Sequence, residues 1–233
     1  MKKINKFFLK FGIGNYRAYS DTYISFLRNK GIKIGTNVRI FQPKTVIIDY
    51  TRPSLLELGN NIYIAGGTSI LTHSGDWFVL RNIYNEVIAS SGKVKIGDNV
   101  FISLKTTILK GVTIGKNSII GAGTVITRDV PQNSVVSGVP GRVICTIEEY
   151  YQKRKGQYIE EAKVFARSIK ECFNRMPVPS DFKEEFPLFM KANELRDDLP
   201  TKQQLGNSYD YYRKHHTPVY NSFEEFIEDA FQS

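Results

Sequence analysis

Ile96-Gly97-Asp98-Asn99-Val100-Phe101-Ile102 opens a run in which Ile102, Ile108, Ile114, Ile120 and Ile126 follow Ile96 at intervals of six without a miss. A helix repeats its buried face every 3.6 residues and a strand every 2, so a strict six with small and turn-forming residues between fits neither alone. It fits a short strand plus a corner, repeated. Ile114-Gly115-Lys116-Asn117-Ser118-Ile119 and Ile120-Gly121-Ala122-Gly123-Thr124-Val125 restate the unit: an inward aliphatic, a small residue, then an Asn, Asp or Gly corner where positive φ is tolerated. The chain winds a β-solenoid over residues 31–145, roughly five coils if three hexapeptides make one triangular turn.

The same beat runs earlier through Ile34, Ile40, Val46, Leu58, Ile64 and Ile70, but in a different phase, because the 26 residues from Ile70 to Ile96 are not a multiple of six. About 20 residues are therefore inserted into one turn. A repeat that is intact on both sides requires the insertion, residues 71–93, to loop outward, and loops carried on a rigid scaffold are where chemistry concentrates. This one opens Leu71-Thr72-His73-Ser74-Gly75-Asp76-Trp77 and holds the only tryptophan of the chain and the only histidine before His215.

With 233 residues and 41% apolar side chains the chain can bury one good-sized core plus an appendage, and no run reaches transmembrane length. The start, Met1 to Lys10, has its apolar stretch broken by Lys10 and no small-residue cleavage site after it, so it does not read as a signal peptide. Cys145 and Cys172 are too few for a disulfide framework and have no partner at metal-ligand spacing, so a cytoplasmic home is expected. The net charge of +9 is unevenly placed: seven Lys/Arg against one acid in residues 1–30, twelve against six in 31–145, thirteen against sixteen in 146–233. A basic solenoid suits a polyanionic ligand. The basic, aromatic start suits a membrane surface or an acidic partner, or is simply a solvated helix face. No nucleic-acid module is present and the charges are spread singly along the coil, so nucleic acid is not an expected partner.

Residues 1–30 read as one or two basic amphipathic helices with Phe7, Phe8, Phe11, Tyr23, Phe26 and Leu27 as apolar contacts, ended by Gly31. Period changes again at Thr146, which with Glu149 makes a capping-box signature. Ile159, Ala162, Phe165, Ala166, Ile169, Cys172, Phe173 and Met176 then repeat at three and four, predicting a long helix that Pro177 and Pro179 stop. Shorter helices are expected over Asp181 to Arg196 and from Ser222/Glu225 to Phe231, making residues 146–233 an α-helical region able to plug an open end of the coil.

The stretch Ile96-Gly97-Asp98-Asn99-Val100-Phe101-Ile102, the run Ile120-Gly121-Ala122-Gly123-Thr124-Val125-Ile126-Thr127-Arg128-Asp129-Val130-Pro131 and the ending Gly138-Val139-Pro140-Gly141-Arg142-Val143-Ile144 resemble the hexapeptide-repeat acyltransferases, nearest to the galactoside, maltose and capsular-polysaccharide O-acetyltransferases. The match covers residues 31–145. The resemblance implies a mainly β fold, a left-handed parallel β-helix, which departs from the usual right-handed crossover rule. It implies a homotrimer with active sites between subunits, acetyl-CoA as donor, and a catalytic histidine at the start of the inserted loop, where Thr72-His73-Ser74 stands. It carries over to Ala122 at the pantetheine arm, Thr127 and Arg128 near the phosphates, and Arg142 at the nucleotide end, where a planar, permanently charged guanidinium suits phosphate. Phe101 and Ser103 belong to the same donor set with two departures. Phe101 stands where Trp is usual and loses an N–H, and Ser103-Leu104 replaces a pair that is commonly Gly and a small polar residue.

A sugar hydroxyl attacks a thioester poorly until a base takes its proton, and histidine suits that task at neutral pH. His73 is therefore assigned as general base in direct transfer, with oxyanion donors available from corner amides. Asp76 orients His73, holds a sugar hydroxyl or caps a turn. Trp77 offers a stacking face or anchors the loop, and Arg81 and Tyr84 are further acceptor candidates. His215-His216 lacks a third ligand at spacing and reads as two polar residues on the surface, so no metal is expected. A zinc hydrolase of the γ-carbonic-anhydrase kind needs three histidines and finds one in the coil. Two other readings stay open: transfer to an amine of an amino-sugar nucleotide or xenobiotic, and a non-catalytic trimeric scaffold. The favoured expectation is acetyl-CoA-dependent O-acetylation of a saccharide of capsule, lipopolysaccharide or exopolysaccharide, with residues 1–30 lending peripheral association with the inner face of the membrane.

Overall fold

A computed structural model describes residues 15–192, 194 and 199–232. It divides into two compact units, Met1–Tyr151 and Gln152–Ser233. In the first, three parallel sheets form the faces of a left-handed β-helix. The first face carries Lys33–Ile34, Leu56–Leu58, Val94–Ile96 and Thr113–Ile114; the second Arg39–Ile40, Ile62–Ile64, Val100–Ile102, Ser118–Ile120 and Ser134–Ser137; the third Ile47–Ile48, Ser69–Ile70, Thr107–Ile108 and Val125–Ile126. Register stacks Ile40, Ile64, Ile102, Ile120 and Val136 in one internal column and Ile48, Ile70, Ile108 and Ile126 in another, all buried. The period-six aliphatics are thus the contents of the prism. Their corner partners Asn37, Asn61, Asn99, Asn117 and Asn133 all adopt positive φ between 51° and 59°, and their amides link coil to coil, as in Asn117 Nδ2 to Asn133 Oδ1 at 2.8 Å.

One step of the beat is corrected by the structure. On the third face the residue that pairs with Ile70 is Ile48, not Val46. A 3-10 turn at Pro43–Thr45 lengthens that corner by two residues, and another at Pro53–Leu55 follows before the next coil. Val46 is still fully buried, but in the place that Thr68, Thr106 and Thr124 take in later coils. Those threonines remain buried because each hydroxyl donates to a corner carbonyl, such as Thr124 to Gly121 at 2.7 Å.

The first end of the coil is closed by helix α1, Ser20–Asn29. Tyr23, Ile24, Phe26 and Leu27 join the coil's core cluster. The helix also satisfies the open strand edge: Ser20 Oγ accepts from Ile40 N at 2.8 Å, Tyr23 Oη accepts from Ile48 N at 3.3 Å, and the Arg28 guanidinium donates to Ile34 O at 3.2 Å. Each face of the prism therefore has one capped edge group, which blocks strand addition there. Phe7, Phe8 and Phe11 lie outside the described residues. At the other end Arg142–Thr146 folds back antiparallel on Ser134–Ser137.

The helix α2, Trp77–Tyr84, lies in the insertion, and α3, Ile147–Phe173, begins at the Thr146/Glu149 capping box, with Glu149 N donating to Thr146 Oγ1 at 3.2 Å and Thr146 N to Glu149 Oε2 at 2.7 Å. The second unit buries Ala162, Ala166 and Ile169 of α3 with Phe182, Phe186, Phe189 and Phe226. The helix expected over Asp181 to Arg196 is not seen among the described residues there. Pro179–Asp181 and Phe186–Leu188 form 3-10 turns instead, because Pro187 lacks the N–H a helix interior needs and its ring clashes with the preceding turn. Three helices follow, α4 at Thr201–Leu205, α5 at Tyr209–His215 and α6 at Phe223–Phe231, the last capped by Ser222 Oγ accepting from Glu225 N at 3.2 Å. No helix among the described residues is long and apolar enough to cross a membrane.

Candidate active site

The insertion leaves the third face after Ile70. His73–Ser74 pairs antiparallel with Ser90–Ser91, so the loop's two ends form a short ladder, and α2 fills the excursion between them. This ladder holds His73 at the root of the insertion, against the coil.

The coil places a carboxylate beneath it. Asp49 follows Ile48 on the third face, and because Ile48 pairs with Ile70, its side chain reaches Thr72 and His73 in the next coil. Asp49 Oδ2 meets His73 Nδ1 at 2.6 Å and accepts from Thr72 N at 3.2 Å and from the Thr72 hydroxyl. Asp49 Oδ1 accepts from Thr51 N at 3.0 Å and Thr51 Oγ1 at 2.6 Å. Burial by itself pushes the Asp49 carboxyl up, but the hydrogen bonds from Thr51, Thr72 and His73 outweigh it and hold the group well below the usual carboxylate range. An ionised Asp49 accepts, so Nδ1 of His73 carries the proton and Nε2 presents its lone pair. The His73 side chain is 36% exposed while that of Asp49 is 6% exposed, which leaves the ring reachable and its anchor dry.

The side chain that orients His73 is therefore Asp49. Asp76 is exposed, stands at the N-cap of α2 and makes no side-chain cap hydrogen bond. Sequence reading missed Asp49 because the beat put Val46 on the internal column; counted from Ile48, Asp49 falls directly after the residue that pairs with Ile70, three before His73.

Trp77, Arg81 and Tyr84 share one face of α2 at spacings of four and three. The Arg81 guanidinium lies 5.3 Å from the Trp77 ring centroid and 5.2 Å from that of Phe78. None of α2 is buried, and Phe78, Val79, Ile83, Tyr84, Val87 and Ile88 are all more than half exposed. Ser74 Oγ is buried with no hydrogen-bond partner among the described residues.

The donor candidates divide between two edges of the prism. Ser103 follows Ile102 and Ala122 follows Ile120-Gly121, at the edge between the second and third faces; Arg142 is opposite Ser137, which follows Val136 at that same edge. Phe101 points outward from the second face, 5.5 Å from the Tyr63 ring, which in turn is 6.5 Å from Phe41. Thr127 and Arg128 follow Ile126, at the edge between the third and first faces, which is the edge of His73 two coils earlier. In one chain the third face separates His73 from Ser103, Ala122 and Arg142. The described strands of that face turn Ile47, Ser69, Thr107 and Val125 outward, whereas those of the first turn out Lys33, Glu57, Lys95 and Thr113, with Glu57 paired to Lys93 at 3.2 Å.

No group of three His, Cys, Asp or Glu among the described residues has metal-site geometry. His216 Nε2 contacts Pro187 O at 2.7 Å and stacks on Tyr212 at 4.1 Å, and His215 lies 4.5 Å from Tyr211.

The structure is a hexapeptide coil with one carboxylate-anchored histidine at the root of an outward loop. Residues 93–128 match the family described as bacterial transferase hexapeptide (six repeats). The chain is 37% identical over 127 residues to Protein CapG of Staphylococcus aureus, covering 54% of this chain and 73% of that one. It is 35% identical over 149 residues to galactoside O-acetyltransferase of Escherichia coli (strain K12), covering 63% and 68%. A solved maltose O-acetyltransferase from Clostridium difficile 630 is 27% identical with a TM-score of 0.42, covering 60% and 83%. The chain belongs to the hexapeptide-repeat acetyltransferases, and it is an acyltransferase.

Proposed function

We propose that this enzyme transfers the acetyl group of acetyl-CoA directly to a hydroxyl of a saccharide, with His73 as general base and residues 31–145 as the catalytic domain. The observation that carries the reading is the His73–Asp49 pair, which fixes the tautomer a base requires. The acceptor oxygen attacks the thioester carbonyl as His73 Nε2 takes its proton. The tetrahedral intermediate then collapses with cleavage of the C–S bond, and the imidazolium returns the proton to the departing thiolate of CoA. No covalent enzyme intermediate forms. General-base help of this kind is worth roughly a hundred- to ten-thousandfold. The similarity to a galactoside O-acetyltransferase supports a sugar acceptor.

The donor in this reading lies along the edge of Ser103, Ala122 and Arg142, past Phe101, with Thr127 and Arg128 reaching it from a second copy. The separation of His73 from that edge within one chain favours a homotrimer in which the uncharged third faces turn inward and each site joins two chains. The exposed apolar side of α2 then has a neighbour to cover it. The unpaired Cys145 and Cys172 accord with the cytoplasmic location this reading assigns. Membrane contact narrows to residues 1–14, since the apolar side of α1 is spent on the coil.

The test is His73→Ala. CoA affinity and oligomeric state should be unchanged while acetyl transfer to sugars falls at least about a hundredfold. Unchanged turnover would overturn the assignment.

A further inference from the structure

Resting on that reading, we propose that the acceptor saccharide carries an oxyanion, a carboxylate or a phosphate, and that Arg81 binds it. Arg81 is exposed on α2, the helix that follows the His73–Ser74 strand in the same insertion. Its guanidinium is braced by the Trp77 and Phe78 rings at 5.3 and 5.2 Å, contacts that restrict the head group without neutralising it. Asp76 and Glu86, the insertion's two carboxylates, form no ion pair with it, nor does any carboxylate among the described residues. A planar guanidinium already held in place and short of a counter-ion is the group that recognises a two-oxygen anion by paired hydrogen bonds.

The surroundings share its sign. Lys110 stands two residues after Ile108, so it lies on the same edge from which His73 projects, and it has no ion-pair partner among the described residues. The acids of the coil are already engaged: Asp49 with His73 and the threonines, Glu57 with Lys93, Asp98 with Asn60 N at 2.7 Å, Asp129 with Thr113 N at 2.7 Å. A cation of this kind draws a negatively charged acceptor toward the edge. The phosphates of CoA account for Arg128 and Arg142 in the proposed donor site, and Arg81, on the insertion with the other acceptor candidates, is left for the acceptor.

Initial rates of transfer from labelled acetyl-CoA decide the matter, using wild type, Arg81→Gln and Arg81→Lys. The acceptors are uronic-acid saccharides beside their carboxyl-reduced forms, and sugar phosphates beside the free sugars. Wild type should favour a charged acceptor over its neutral counterpart by at least about tenfold in kcat/KM, chiefly through KM. The pair in which the preference appears identifies carboxylate or phosphate. Arg81→Gln should collapse the preference and Arg81→Lys should keep part of it, since the charge remains and the fork is lost. Equal wild-type rates on charged and neutral partners overturn the proposal and leave sugar acetylation standing. A preference that survives Arg81→Gln, or a variant that raises KM only for acetyl-CoA, overturns the role of Arg81. Failure to acetylate any sugar of either kind overturns the underlying reading instead.

Discussion

Asp49 is the residue on which the chemistry proposed for His73 turns. Both its oxygens are saturated by hydrogen bonds, so it accepts from His73 Nδ1 as a fixed anion and cannot take the proton for itself. Asp49→Asn presents one acceptor oxygen and two unwanted donors, so Nδ1 loses its anchor and the ring its tautomer. Transfer should drop roughly ten- to a thousandfold, with KM for acetyl-CoA little changed, as steady-state kinetics would show. The same group links stability to pH. Its folded carboxyl is held below the unfolded value, so the stabilisation is fully present above about pH 4 and is lost as the pH falls further. Urea unfolding of wild type and Asp49→Asn should therefore show a stability gap at about pH 6 that narrows as the pH drops toward about 3. A gap independent of pH would mean that the carboxylate is not held as described.

At the scale of elements, stability is distributed along three stacked faces, because each rung touches only its neighbours above and below. Ile102 sits mid-column on the second face, between Ile64 and Ile120, and is fully buried. Ile102→Ala should cost roughly 2–5 kcal/mol, read as a lower urea midpoint at unchanged slope. The ends obey a different logic. The edge of the first coil would recruit another strand if Ser20, Tyr23 and Arg28 did not occupy it. The insertion contributes no buried residue from α2, so its orientation depends on the His73–Ser74 ladder and on whatever covers its exposed aliphatic side.

For the whole molecule, the decisive feature is that His73 stands on one edge of the prism while Ser103, Ala122 and Arg142, proposed to hold the donor, stand on another. A site shared between chains has a direct signature. His73→Ala keeps the proposed donor edge intact, and Ala122→Trp, which fills the exposed corner proposed for the pantetheine arm, keeps the proposed base. Each should be inactive alone, and refolding them together at equal amounts should restore about a quarter of the wild-type sites, since each site draws one edge from each of two chains. No recovery in mixed oligomers would place the entire site within one chain.

The isoleucines at intervals of six and the Asn corners were sufficient to specify a coil, because a rung of a β-helix is a local object whose inward side chain and positive-φ corner are set within six residues. The phase slip between Ile70 and Ile96 marked the insertion and its histidine for the same reason. Helix α3 was legible from its three-and-four spacing and its capping box, which are also local. What only the tertiary structure decided depends on residues distant in sequence becoming neighbours across a coil. Asp49 acquires its role because two extra residues in the Pro43–Thr45 turn move Ile48, not Val46, onto the column of Ile70. The helix that plugs the first end could be read as amphipathic but not as turned inward, since its partners are unpaired amides of Ile40 and Ile48. Periodicity records which side of the chain is buried; it carries no record of which coil lies beneath which, and the pairing of Asp49 with His73 is set by that stacking.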